Sequence, residues 1–211
     1  MRGGMVVTGA LLVSALGAWT DHVRPPAPAA PTATVAPLAA FNGPLKTARN
    51  EMVAAKVQIA RAQAVLRYSS HYRISGDLSA AIYDVAVREG IRPEIAYELV
   101  KAESNFKRTA RSSASALGLT QIQLRTARQY DRHVTESQLL ERDVNLRLGF
   151  RYLKDLIGQF DNDAHLALLA YNRGPGRVEQ ILAEGGNPRN GYSSSILKGY
   201  KATAPSRGAS N

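Results

Sequence analysis

From residue 45 onward, small or apolar side chains recur at Leu45, Ala48, Met52, Ala55, Ile59, Ala62 and Leu66, at alternating intervals of three and four. That spacing lays them along one stripe of a helix. Residues 45–74 are therefore predicted to form an amphipathic N-terminal helix, which either lies against the domain behind it or pairs with itself. Leu78, Ala81, Ile82, Val85 and Ala86 make a second stripe, and Gly90 can end it because glycine adopts the left-handed helix terminus most readily. Pro93 suits the first turn of a third helix, where its missing N–H costs nothing. Further helices are implied by Leu146, Phe150, Leu153, Ile157 and Phe160, by HLALLAY at 165–171 and by RVEQILAEGG at 177–186. No convincing period-two alternation separates them, so residues 75–200 read as one nearly all-α domain.

The ends differ in character. Residues 5–19, MVVTGALLVSALGAW, are uncharged and apolar and follow Arg2. The run is shorter than the roughly 18 residues a membrane-spanning helix needs, and the small residues Ala15, Gly17 and Ala18 suit a peptidase site. Residues 1–22 are expected to be a secretory signal peptide, with an uncleaved signal anchor as the alternative. The domain would then work outside the cytoplasm, in the periplasm or beyond. Residues 23–44 are rich in Pro and Ala and read as an extended linker, and residues 201–211 as a polar tail.

Composition narrows the chemistry. Among 211 residues there is no cysteine, which excludes disulfide scaffolds, thiol catalysis and Cys-based zinc sites. The four histidines, at 22, 71, 133 and 165, lack the HExxH spacing of a helical zinc site, and no metal or cofactor is implied. A net charge of +10 suits anionic surroundings such as nucleic acid, a membrane surface or a wall polymer. The arginines are scattered and no RNA-binding aromatic pattern occurs, so a nucleic-acid partner is not indicated. Contact with a membrane is expected only through an uncleaved N-terminal segment.

One carboxylate stands out. In PEIAYELVKAESNF, Ile95, Leu99 and Glu103 follow one another at intervals of four, and Phe106 continues the same face. Glu94 and Glu98 fall on another column, with Lys101 within reach of Glu98, and read as solvated surface groups. An apolar setting and the negative end of the helix dipole both disfavour the charged form of Glu103 and push its pKa up. Such a residue is either a general acid held protonated near neutral pH or a structural glutamate with a partner. Periodicity leaves both open.

The stretches ESNF at 103–106, SSASALGLTQI at 112–122, DVNLRLGFRYL at 143–153, AYNRGPGRV at 170–178 and GYSSSILKGY at 191–200 together resemble the lytic transglycosylase domain of the soluble bacterial Slt family. The resemblance covers about 125 of the 211 residues and implies a lysozyme-like helical fold. It also implies cleavage of the bond between N-acetylmuramic acid and N-acetylglucosamine in peptidoglycan, leaving a 1,6-anhydromuramoyl end. By the same resemblance, Glu103 is the catalytic acid, and Ser112, Gln121, Tyr152, Tyr171, Asn172 and Tyr192 bind the glycan strand. Neutral amides and hydroxyls suit sugar hydroxyls and acetamido groups, and tyrosine offers a face to a pyranose ring. Ser112 could equally cap a turn, Gln121 bond to backbone, and Tyr152 belong to the core.

The pattern also departs from the family's. Ser115 stands where glycine is usual, Thr120 and Gln123 where methionine is favoured, and Leu124 where proline is. These departures bear on the loop's shape and subsite preferences, because serine at 115 adopts positive φ less freely than glycine. The resemblance supplies a single carboxylate, whereas ordinary glycosidases use two. Asp131, Glu136, Glu141, Asp143, Asp161 and Asp163 sit in polar stretches and read as caps or surface charges. The competing expectations are a hydrolase like goose-type lysozyme and a wall-binding scaffold. Service to an envelope-spanning secretion or flagellar assembly, whose proteins would be partners, is the most specialised form of the expectation.

Overall fold

A computed structural model describes residues 39–203. The expected signal segment, most of the linker and most of the tail lie outside the described residues. The chain divides into two compact units between Ala48 and Arg49, and the helical body belongs to the second. Among the described residues the order is α1 (Ala39–Tyr72), α2 (Gly76–Glu89), α3 (Pro93–Ser104), β1 (Ala116–Leu117), β2 (Ile122–Gln123), α4 (Leu124–Ala127), α5 (Glu136–Leu139), α6 (Arg142–Gln159), α7 (Ala164–Arg173), α8 (Pro175–Ala183) and α9 (Tyr192–Thr203). Residues 39–44, read as linker, are thus helical, as are residues 201–203, read as tail. No described helix is long and apolar enough to cross a membrane.

The local signals act as their chemistry requires. Ser75 caps α2, its hydroxyl accepting from Leu78 N, and Gly90 ends it in the left-handed conformation at φ 72°. Pro93 opens α3. The central helix is α6, which packs on α2 and α7, while α3 lies between α2 and α9. Leu146, Phe150 and Leu153 of α6 meet Ile82, Val85 and Ala86 of α2, Leu99 and Val100 of α3, Leu168 of α7 and Ile196 of α9 in one buried cluster. β1 and β2 pair antiparallel, Ala116 opposite Gln123 and Leu117 opposite Ile122. Two-residue strands are too short to display alternation, which is why the sequence shows none.

Two expectations are corrected. The stripe of α1 does not lie against the body: Met52, Ile59 and Leu66 are 52%, 57% and 67% exposed. The body instead holds Ala64, Val65 and Tyr68 of the last turns, and Arg61 forms a two-pronged ion pair with Asp84 of α2 at 2.6 and 2.5 Å. Nor is Glu98 a solvated surface group. It is 6% exposed, accepts from Tyr72 Oη at 2.8 Å, and lies so close to Gly199 of α9 that a Cβ there would overlap its carboxylate. Both sides of α3 are covered, one by the core and the other by the end of α1 and by α9, so a column off the main stripe is buried as well.

Candidate active site

The end of α3, the β1–β2 hairpin, α6 and the α7–α8 junction surround a cleft of about 900 Å³. Glu103 lies on its wall with Ser112, Gln121, Tyr152, Tyr171 and Asn172. Six of the seven residues singled out in the sequence therefore share one cavity. The seventh, Tyr192, is not among the lining residues; from the first turn of α9 its hydroxyl donates to Glu103 Oε1.

Glu103 sits in the last turn of α3, below the buried Ile95 and Leu99. Burial raises its carboxyl above the ordinary glutamate range, and the hydrogen bond from Tyr192 offsets part of that rise. Beyond Glu103, Asn105 and Phe106 both take left-handed conformations, at φ 49° and 62°, so the chain turns sharply away and leaves the carboxyl facing the cleft. Tyr192 and Tyr171 have hydroxyl pKa values well above ordinary tyrosine, mainly through burial and then through the negative charge on Glu103. Both remain neutral donors at any working pH.

The hairpin is held by interactions that account for its small residues. Ser112 Oγ accepts from Ala116 N at 3.0 Å, so it does cap the turn, with its hydroxyl proton still available on the cleft wall. Gln121 Nε2 donates to Gly118 O at 2.8 Å and to Ala110 O at 3.1 Å. Those bonds spend its donors and leave Oε1 as the group it can offer. Ser115 takes φ 59°, the conformation for which glycine is the easier residue. Tyr171 Oη donates to Thr120 O at 2.8 Å, tying α7 to the hairpin, and its ring lies 5.1 Å from that of Tyr152. Asn172 Oδ1 accepts from Asn190 Nδ2 at 3.0 Å.

Two residues of this region were passed over in the sequence. Asn145 of α6 is buried; its Oδ1 accepts from Thr120 N at 2.8 Å and Thr120 Oγ1 at 2.9 Å, and its Nδ2 donates to Leu117 O at 2.9 Å and Leu139 O at 2.8 Å. The whole amide is consumed in fixing the loop that carries Gln121. Gly118 and Gly149 leave room for this arrangement, since a Cβ on either would overlap Asn145 or Thr120. Asp155, also on α6, is a second carboxylate on the cleft wall and accepts from Tyr130 Oη at 2.7 Å. The six acidic residues weighed in the sequence do not line the cleft. Asp163 caps α7 through His165 N and Leu166 N, Glu136 pairs with Arg111, and Asp143 pairs with Arg142.

A family model described as the Transglycosylase SLT domain matches residues 81–190. The peptidoglycan transglycosylase gp16 of Escherichia phage T7 is 29% identical over 119 residues, which is 55% of this chain and 8% of the phage protein. The soluble lytic murein transglycosylase of Salmonella typhimurium is 34% identical over 98 residues, covering 44% of this chain and 15% of that protein. Among solved structures, an inactive glutamate-to-glutamine mutant of lytic transglycosylase Slt from Pseudomonas aeruginosa superposes with a TM-score of 0.54 at 30% identity, covering 59% of this chain and 23% of that one. The chain spans less than a quarter of the length of each of these relatives.

Proposed function

The chain belongs to the Transglycosylase SLT domain family, and from that membership we propose that it is a peptidoglycan lytic transglycosylase with Glu103 as its only acid–base group. The observation that carries this reading is a half-buried glutamate whose proton is favoured by burial, on the wall of a cleft that it shares with neutral amides and tyrosines. Tyr192 occupies Oε1, so the acidic proton resides on Oε2. In the first half of the reaction that proton passes to the oxygen linking N-acetylmuramic acid to N-acetylglucosamine as the C1–O bond breaks. Positive charge then develops at C1 of the muramoyl ring, where the substrate's own acetamido group supports it. In the second half the C6 hydroxyl of the same ring bonds to C1 and its proton returns to Glu103. One C–O bond is broken and one formed, no water is consumed, and the acid is regenerated.

The cleft's neutral groups are those the strand requires. Gln121 Oε1, the Asn172 amide and the Ser112 hydroxyl present acceptors and donors to acetamido and hydroxyl groups, and Tyr152 and Tyr171 present ring faces. Work on the wall outside the cytoplasm, in the periplasm, rests on the apolar segment within residues 1–22; service to a secretion or flagellar assembly is the more specialised form of the same reading.

Asp155 favours a second reading. A second carboxylate in the same cleft as an acid can activate water, as in inverting glycosidases, which would make the protein a hydrolase of the goose-type lysozyme kind. Mass spectrometry of purified peptidoglycan after digestion separates the two. Anhydromuramoyl ends, lighter than reducing ends by one water, support the transglycosylase; reducing ends overturn it in favour of hydrolysis.

A further inference from the structure

The body grips α1 through Arg61, Ala64, Val65, Tyr68 and Tyr72. Met52, Ala55, Ile59, Ala62 and Leu66 are all exposed, and at 3.6 residues per turn their mean direction lies roughly 145° around the helix from that grip. The two faces of α1 are thus nearly opposite, and the apolar one points away from the body.

This face has a period of seven. Met52, Ile59 and Leu66 occupy one position of the repeat, and Ala55, Ala62 and Ser69 the position three residues on, which are the a and d sites of a heptad. A strict 3.5-residue spacing complements another helix of the same spacing, and small residues at d let two such helices approach closely. The flanks specify the partner further. Glu51 falls at g and Lys56 at e of the following repeat, and Gln58 and Gln63 repeat that relation one heptad later. In a parallel, in-register pair each g side chain faces the e side chain five residues on in the partner, so Glu51 meets Lys56 twice by symmetry and Gln58 meets Gln63 twice. The antiparallel register that keeps the stripes face to face leaves both Glu51 and Lys56 without an opposite charge.

We propose that this face pairs with the same face of a second copy, parallel and in register, as a short two-stranded coiled coil that holds two helical bodies side by side. The residues of the pairing are distinct from those around the cleft, so the inference stands or falls apart from the proposed activity.

Sedimentation equilibrium of the full chain over a concentration series tests it. The expected result is a monomer–dimer equilibrium in which Ile59→Asp raises the dissociation constant on the order of a hundredfold, since two buried isoleucines are lost per dimer. Glu51→Lys alone should raise it roughly three- to tenfold, and adding Lys56→Glu should restore it. Because the chain has no cysteine, Met52→Cys gives a clean register test: oxidation should link two copies through residue 52, which only a parallel pair brings together. All these positions are exposed, so thermal melts of the variants should match wild type and exclude misfolding. A monomer at every concentration overturns the proposal, as does failure of the double charge exchange to restore pairing. A monomer whose Met52→Cys thiol resists labelling also overturns it, since the stripe would then be covered by the chain's own N-terminal residues.

Discussion

Asn145→Leu removes the clamp that shapes the cleft while nearly preserving side-chain volume. Four hydrogen bonds go: two accepted from Thr120 and two donated to Leu117 O and Leu139 O. The Thr120 hydroxyl retains an acceptor in Asn145 O at 3.3 Å, and Leu117 stays paired with Ile122 in the hairpin, so the Thr120 amide is the group left without its partner while the Leu117 and Leu139 carbonyls each lose one bond. Asn145 is 1% exposed, and water does not reach these groups to replace the lost bonds. At about 1–3 kcal/mol for the orphaned amide and about 0.5–1 kcal/mol for each carbonyl bond lost, the loss sums to roughly 2–5 kcal/mol. For a domain of this size each kcal/mol moves the melting temperature by about 3–4 °C, so a fall of roughly 6–20 °C is expected. The loop cannot relax to avoid this, because Gly118 already places its backbone against the Asn145 side chain. Scanning calorimetry or circular dichroism measures the shift. The proposed wall-lysing activity should fall below the folded fraction's share, since Gln121 and the Thr120 carbonyl that receives Tyr171 both ride on the loop. A melting point within about 3 °C of wild type would refute the clamp.

Ser115→Gly relieves a left-handed serine at φ 59° and should raise stability by about 0.5–1 kcal/mol, the conformational penalty being partly offset by glycine's greater freedom in the unfolded chain; equal or lower stability by denaturant titration would count against it. Glu103 has a folded-state pKa raised by burial, so the stability linked to its proton is complete below the unfolded pKa and is lost as pH rises through the folded one. Glu103→Gln should therefore melt above wild type at neutral pH, with the gap closing toward acidic pH; a gap that widened on acidification would contradict the assignment. Tyr192→Phe deletes the hydrogen bond that lowers the Glu103 pKa and leaves burial unopposed. The basic limb of the pH–rate profile should move to higher pH, and movement the other way would sink the proposed role of that hydroxyl.

What the sequence made legible follows from how local each signal is. Ser75, Gly90 and Pro93 act through their own backbone, and the stripes of α2 and α6 through residues within two turns, so these elements could be read directly. The stripe of α1 was equally plain, yet periodicity shows that a face exists and not what covers it; here the body takes the opposite face. Glu98 was misread for a related reason, because Tyr72 and Gly199 converge on it from helices 26 residues before and 101 after in the chain. Asn145 looks like an ordinary polar residue near a helix start, and only the fold brings Thr120 and Leu117 to it. Asp155 had a usable signal. Tyr152, Asp155 and Gln159 are spaced three and four on α6, so placing Tyr152 on the cleft also places the other two there.

The central claim, that the Glu103 carboxyl supplies and retrieves the proton, is most directly tested by the rate at which Glu103→Gln digests purified peptidoglycan under conditions where the variant is folded. Glutamine preserves shape and can still accept from Tyr192, so only the exchangeable acid is lost, and the rate should fall by about 10²–10⁴. A folded variant that digests wall within a few-fold of wild type would show that the proton comes from elsewhere.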